Sequence, residues 1–264
     1  MVRGTLEAIA PRSMPDSEPY NCSAAIPWKD DRAGSPMIEP PRFIRRVPYV
    51  PVGDALDQPV ADVLWARAPR VDIDQFHSKS SEHRPRTVVR IMHHQRAIRL
   101  RYTVIDRFVV SRQTEHQRQV CEDSCVEFFL QPGPDTGYFN FEFNCCGTML
   151  CHHIEDCRRT PTGFVRHRPL SNDDLARIGV RPSLPRTVWP ECPYPITWQL
   201  DVLIRLEAIE PHVGAIGSLS GSACAANFFK CADHSSHPHW ASWAPIGEEL
   251  NFHQPQTFGL LRFE

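Results

Sequence analysis

The feature that most constrains the fold is a pair of alternating segments joined by a turn, residues 125–144, CVEFFLQPGPDTGYFNFEFN. In the second segment, Phe139, Phe141 and Phe143 alternate with polar side chains and one tyrosine. This period of two is that of a β-strand. The Pro- and Gly-rich stretch between the segments is typical of a turn. The pattern therefore predicts two neighbouring strands with one core face and one accessible face.

The same alternation recurs elsewhere and predicts more strands. Residues 87–106 indicate a hairpin with His94 and Gln95 at its turn, and residues 196–206 alternate between apolar and polar side chains. The chain has 25 prolines in 264 residues, which disfavours long helices. Residues 171–180 fit either a short capped helix or a loop. Together these features predict an all-β fold, an antiparallel β-sandwich of jelly-roll type with long loops and little helix.

The composition along the chain predicts one folded domain after an irregular N-terminal segment. Residues 1–45 are dominated by Pro, Ser, Asp and Glu and have no regular apolar period, so we expect an irregular leader. Residues 46–264 carry the strand patterns and form the predicted domain. The chain is long enough to bury a substantial core.

Charge and apolar patterning exclude several classes of function. The formal net charge is −2, so no basic excess favours a nucleic-acid partner. No run of 18 apolar residues predicts a membrane span. The N-terminus lacks the apolar core of a signal peptide, so we expect a cytoplasmic protein, or an extracytoplasmic one if the true start lies upstream. The ten cysteines are then expected to be reduced thiols.

Several segments together resemble carbohydrate-binding module family 9-like domains. Trp65 and the following segments carry the resemblance, which covers about residues 40–264: TVVRIMHHQRAIRLRYTVID, EDSCVEFFL, YFNFEFNCCGT, ITWQLDV, ANFFKCAD, PHWASWAPI and FHQPQTFGLLRF. The resemblance implies a jelly-roll β-sandwich and, in better-understood members, binding of the reducing ends of glucose- and xylose-based chains between two tryptophans. It places the family's carboxylate on Glu127. Glu142 stands where sugar-binding members have arginine, and the two clamp positions fall near Cys121 and on Phe252.

The resemblance and the residue chemistry together predict a noncovalent carbohydrate-binding module. A sugar offers apolar C–H faces to aromatic rings and hydroxyl pairs to planar carboxylate, amide or guanidinium groups. The candidate ligand-binding residues are Glu127, Glu142, Phe252, Arg101, Asn144 and Trp243. Four of these have a structural alternative. The glutamates are solvated strand positions, or one of them pairs with Arg99 or Arg101, and Trp243 anchors its loop.

Two rival functions remain open. Glu127 and Glu142 on adjacent strands could form the acid and nucleophile pair of a glycoside-active enzyme. Alternatively, the domain is a scaffold or protein-interaction module that has lost sugar binding, which cysteine at a clamp position would fit. We expect no second catalytic domain in this chain, so an enzymatic partner would be a separate protein.

The sequence identifies no cofactor with certainty, but it offers metal-binding candidates. Cys231, His234, His237 and His239 have residue types and spacing that could bind zinc from a loop, or they belong to a His-rich surface loop. The resemblance implies a structural calcium as a candidate, and Asp135 is one residue that could contribute to it, or it is a plain turn aspartate.

Overall fold

The computed structural model of the chain describes residues 43–51, 59–94 and 96–264. Strands dominate these ranges. Numbered in chain order, they are β1 (Ile44–Val47), β2 (Arg70–Ile73), β3 (Gln75–Phe76), β4 (Arg86–His94), β5 (Ala97–Asp106), β6 (Val109–Ser111), β7 (Cys125–Gln131), β8 (Tyr138–Asn144), β9 (Met149–Thr160), β10 (Gly163–Pro169), β11 (Ile178–Pro182), β12 (Val188–Cys192), β13 (Ile196–Arg205), β14 (Ala223–Cys231), β15 (Trp240–Ser242) and β16 (Gly259–Phe263).

The strands form two large sheets. The larger sheet has the order β1-β16-β14-β7-β8-β9-β10, and the short strand β15 pairs with both β14 and β3. The smaller sheet has the order β11-β13-β5-β4-β2, and β12 pairs separately with β6. All named pairs are antiparallel except β1 with β16. The predicted antiparallel β-sandwich is confirmed, as is the hairpin formed by β4 and β5.

The main core lies between the sheets and contains the phenylalanines that the alternation placed there. Phe228, Phe128 and Phe141 are register partners across β14, β7 and β8, and the ring of Phe128 stacks on both neighbours with centroid distances of 5.0 and 6.2 Å. Tyr102 and Trp198 enter the same core from β5 and β13. The Tyr102 hydroxyl donates a hydrogen bond of 3.0 Å to the Glu127 carbonyl, which ties the two sheets together beneath Glu127.

Helices are short, as the proline content predicts. Within the described residues the α-helices are α1 (Asp62–Trp65), α2 (Asn172–Leu175) and α3 (Glu210–Val213), each of four residues. None of these helices is long enough to span a membrane. Single 3₁₀ turns are present at Val120–Glu122, Leu206–Ala208 and Pro255–Thr257.

Helices α1 and α2 lie in segments that the sequence analysis singled out. Ser171 caps α2 in a capping box with Asp174, so the helical alternative for residues 171–180 is confirmed over its first turn. Trp65, one of the residues that carry the family resemblance, is buried at the end of α1 and packs in a small satellite cluster with Val50 and Met92.

The expected boundary between leader and domain lies within a strand. Strand β1 begins at Ile44 and pairs in parallel with β16, so residues 44 and 45 belong to the larger sheet. Residues 1–42 of the predicted leader, and Gln95 of the predicted β4–β5 turn, lie outside the described residues.

Candidate functional site

The two glutamates singled out in the sequence lie directly opposite each other on the outer face of the larger sheet. Glu127 on β7 is the register partner of Glu142 on β8, and Phe229 on β14 is the register partner of Glu127 on the other side. Since register partners point to the same face, these three side chains form one row across the sheet. The core phenylalanines occupy the opposite face.

The outer face is covered, although the alternation predicted an accessible one. Glu127 and Glu142 are only 3% and 7% exposed. Ile246, Leu250, Phe252 and Phe258, from the segment after β15, pack on Phe129, Tyr138 and Phe229 of the sheet. The side chain of Asn227 on β14 anchors this segment, because its amide donates to the Ala244 carbonyl and accepts from the Ala244 N–H, both at 2.9 Å.

Glu127 has a thiol as its hydrogen-bond donor. The Sγ of Cys231 donates to Glu127 Oε1 at 3.1 Å. Burial raises the pKa of Glu127 well above its usual range, and the facing Glu142 raises it further. A carboxyl in this environment favours its neutral form because burial removes the hydration that stabilises its charged form.

Glu142 has one satisfied oxygen and one oxygen without a partner. Asn140 Nδ2 donates to Glu142 Oε1 at 2.7 Å. Glu142 Oε2 is buried and has no hydrogen-bond partner among the described residues. Burial raises the pKa of Glu142 to about 7, Asn140 opposes that rise, and Asp233 adds to it. An acceptor that is buried but unsatisfied costs free energy, and a ligand hydroxyl could remove this cost.

Partly exposed side chains surround the glutamate pair. Phe252 stacks on Phe229 with ring centroids 4.2 Å apart and an interplanar angle of 15°. Phe252, Trp240 and Cys121 all pack against one small cluster that contains Cys125 and Cys231. The two family clamp positions implied by the resemblance, Cys121 and Phe252, therefore lie beside the same patch of sheet as Glu127.

Trp240 and Asp233 are site residues that sequence reasoning did not select. Trp240 is the register partner of Cys231 and so shares the outer face, while Trp243 belongs to the core between the sheets. Trp240 Nε1 donates to Asp233 Oδ1 at 2.8 Å, and burial raises the pKa of Asp233. The odd sequence spacing between Trp240 and Trp243 was the signal, because two strand residues three apart point to opposite faces.

Arg101, Trp243 and Asn144 were predicted as ligand residues, but each has other partners in the fold. Arg101 lies on the smaller sheet, where its guanidinium pairs with both oxygens of Asp201 at 2.6 and 2.7 Å. Trp243 is 2% exposed and meets Phe43 edge to face at 5.9 Å.

Asn144 lies on the outer face of β8 but is fully buried. Its amide donates to the Gln113 carbonyl and to Asp123 Oδ2, and its oxygen accepts from two backbone N–H groups. The structure thus brings Phe252, but neither Arg101 nor Trp243, to the glutamate pair.

The predicted metal candidates do not meet as a group. Cys231 lies beside Glu127, whereas His234 is exposed and 3.6 Å from Glu122. His237 stacks on Phe108 with ring centroids 3.6 Å apart.

His239 is buried, and its Nε2 lies 2.8 Å from the Lys230 ammonium. The Asp135 side chain is exposed in the β7–β8 turn. Within the described residues, no group of three His, Cys, Asp or Glu side chains with converging ligand atoms includes Asp135, so calcium remains a prediction.

The sequence and the fold were compared with protein families and with solved structures. A family model for carbohydrate-binding family 9 matches residues 58–263. A proposed carbohydrate-binding protein from Bacteroides uniformis is 32% identical, with a TM-score of 0.73, covering 84% of this chain and 99% of its own.

Two structures of a family 9 module from Caldicellulosiruptor kristjanssonii share the fold, each with a TM-score of 0.53 and coverage of 84% of this chain. The glucose complex is 14% identical with 95% of its chain covered, and the cellotriose complex is 16% identical with 93% covered. No curated protein matches the sequence significantly. Because the family model covers most of the chain, this protein belongs to carbohydrate-binding family 9.

Proposed function

We propose that this protein binds a sugar or a related polyhydroxyl ligand noncovalently on the outer face of the larger sheet, at the partly exposed patch of Cys121, Trp240 and Phe252 beside Glu127 and Glu142. The observation that carries the proposal is the buried Glu142 Oε2, which has no hydrogen-bond partner within residues 43–51, 59–94 and 96–264 and belongs to a carboxyl directly opposite a second buried carboxyl. A sugar hydroxyl that reached this oxygen as the covering side chains moved aside would satisfy it. The family's Caldicellulosiruptor structures, which contain glucose and cellotriose, support a sugar as the ligand.

The rings beside the pair suit the apolar face of a pyranose. Phe252 and Trp240 are partly exposed and pack on the same cluster. Stacking on such rings adds free energy on the order of 0.5–1.5 kcal/mol per ring beyond simple burial. Hydroxyl hydrogen bonds exchange with water at modest net gain, so we expect affinity to depend on stacking and on Glu142 together.

The ionisation of the pair argues against catalysis as the main activity. Facing carboxyls on adjacent strands could meet the separation of about 5–5.5 Å that a retaining glycosidase uses. That mechanism needs one carboxylate that is ionised at working pH, whereas burial raises the pKa of Glu127 well above its usual range and the pKa of Glu142 to about 7, so that Glu142 is only partly ionised at neutral pH. Turnover of aryl glycosides that disappears in Glu127→Gln would establish the enzymatic alternative instead.

Isothermal titration calorimetry tests the proposal. We expect saturable binding of at least one member of a panel of glucose, xylose, cellotriose and xylotriose, and a loss of roughly 3- to 10-fold in affinity for Phe252→Ala or Trp240→Ala. Glu249→Gln, an exposed site in the covering segment, serves as the matched control and should leave affinity unchanged. If the folded protein bound none of these sugars, the scaffold alternative would be favoured.

A further inference from the structure

Three side chains that commonly bind metals meet on the outer face of β7 and β14. Cys125 is the register partner of Cys231, and Glu127 follows on the same face two residues later. Their ligand atoms, two Sγ and one carboxylate oxygen, all lie within 4.8 Å of one another. Among the described residues this is the one group of three or more His, Cys, Asp or Glu side chains with such convergence.

The spacing fits a tetrahedral cation after small side-chain rotations. Zinc binds cysteine sulfur at about 2.3 Å and carboxylate oxygen at about 2.0–2.2 Å, which sets ligand atoms about 3.4–3.8 Å apart. Cys231 Sγ and Glu127 Oε1 are already 3.1 Å apart. Both cysteines are on paired strands, so the backbone that holds them is rigid, as a preformed metal site requires.

A second observation points to a cation at this place. The Glu142 side chain is 7% exposed and faces the cluster from β8, directly opposite Glu127, and its Oε2 has no hydrogen-bond partner in the part of the chain that the structure describes. Cys121 is partly exposed, and its side chain packs on the same cluster as Cys125 and Cys231. Cys125, Cys231 and Glu127 would supply three ligands, and Cys121 or Glu142 could supply the fourth.

We propose that Cys125, Cys231 and Glu127 bind a thiophilic divalent cation of the zinc type, with Cys121 or Glu142 as the fourth ligand. Two thiolates select zinc over calcium or magnesium, which prefer oxygen. Each thiol releases its proton when the cation binds. The cation cross-links β7 and β14 at the centre of the larger sheet, and its two positive charges balance the two thiolates, while Glu127 coordinates as a carboxylate after releasing its own proton.

The proposed metal site is separate from sugar binding, and metal binding can be measured with no sugar present. Untagged protein, purified under reducing conditions and dialysed against a chelator, is titrated with Co²⁺ and then Zn²⁺. We expect one cation per chain, a sulfur-to-cobalt charge-transfer band, tetrahedral visible bands, and loss of these bands when Zn²⁺ displaces Co²⁺. Sugar titrations of the same chelated protein report separately on the proposed function.

Variants locate the site. Cys125→Ala/Cys231→Ala should weaken Zn²⁺ binding roughly 100-fold or more, because both thiolates are removed. Glu127→Gln, which keeps packing volume, should weaken binding while the charge-transfer band of any bound Co²⁺ persists. Cys224→Ala is the matched control, since Cys224 is a buried cysteine on β14 that belongs to the opposite, core face, and it should bind normally.

Three results would overturn the proposal. Wild-type protein could show no charge-transfer band with Co²⁺, which needs no variant to interpret. Binding could persist unchanged in the folded double cysteine variant, which would place the cation on surface histidines. Thiol titration could show that the facing cysteines form a disulfide in the native protein, which their opposed register allows.

Discussion

Replacing Glu142 by glutamine should stabilise the protein at alkaline pH while weakening ligand binding. Burial raises the pKa of this carboxyl from 4.5 to about 7, so the native state holds a proton that the unfolded chain releases above pH 4.5. The free energy of unfolding therefore falls as pH rises from 4.5 to 7. A difference of about 2.5 pKa units corresponds to about 3 kcal/mol at pH 8.

Glutamine removes this cost without removing the local contact. Its amide oxygen can still accept from Asn140 Nδ2, the partner of Glu142 Oε1. Glu142→Gln should match the wild type near pH 4 and exceed it by about 3 kcal/mol at pH 8, which is roughly 6–12 °C in Tm for a domain of this size. Urea unfolding of chelator-dialysed protein at both pH values measures the difference.

Glu249→Gln is the control for the Glu142→Gln experiment. Glu249→Gln removes an exposed carboxylate from the covering segment and should change stability by less than about 0.5 kcal/mol at either pH. Ligand affinity of Glu142→Gln should fall even as its stability rises, a pattern typical of a site residue. Equal or lower stability of Glu142→Gln at pH 8 would refute the burial argument.

Three further predictions concern the scaffold. Gly259→Ala should lower the free energy of unfolding by about 1–3 kcal/mol in urea titrations, because the added Cβ would lie 2.6 Å from a Trp243 ring carbon; unchanged stability would mean that the ring can move aside. Asn144→Ala should lower stability by about 1–3 kcal/mol but leave sugar affinity intact, because its bonds are internal; intact stability with lost binding would make it a ligand residue. Below pH 6.5 the wild type should lose stability by about 1.4 kcal/mol per pH unit relative to His239→Gln. Burial and Lys230 lower the pKa of His239 to about 3, so native protein resists a proton that unfolded protein accepts; parallel pH profiles would contradict this.

Local alternation was enough to predict many of the strands and which of their side chains face the core. The phenylalanines of β8 and the hairpin of β4 and β5 follow from a period of two, which the backbone enforces within a few residues. Alternation also placed Glu127 and Glu142 on the polar side of their strands. It did not predict that the two residues would be register partners, directly opposite each other.

Long-range packing decided what local patterns could not. The burial of Glu142 comes from the segment around residues 244–258, which has no period and so gave no sign of its path over the sheet. Cys125 and Cys231 are 106 positions apart in the chain and meet only through the pairing of β7 with β14. Spacing within the loop after Cys231 pointed to histidines that the fold directs elsewhere.

A crystal structure of the protein soaked with glucose or cellotriose tests the central claim most directly. The account predicts a sugar over the facing carboxyls, with a hydroxyl about 2.6–3.0 Å from Glu142 Oε2 and an apolar ring face against Phe252 or Trp240. A sugar bound on the smaller sheet beside Arg101, or no bound sugar at saturating concentration, would contradict it.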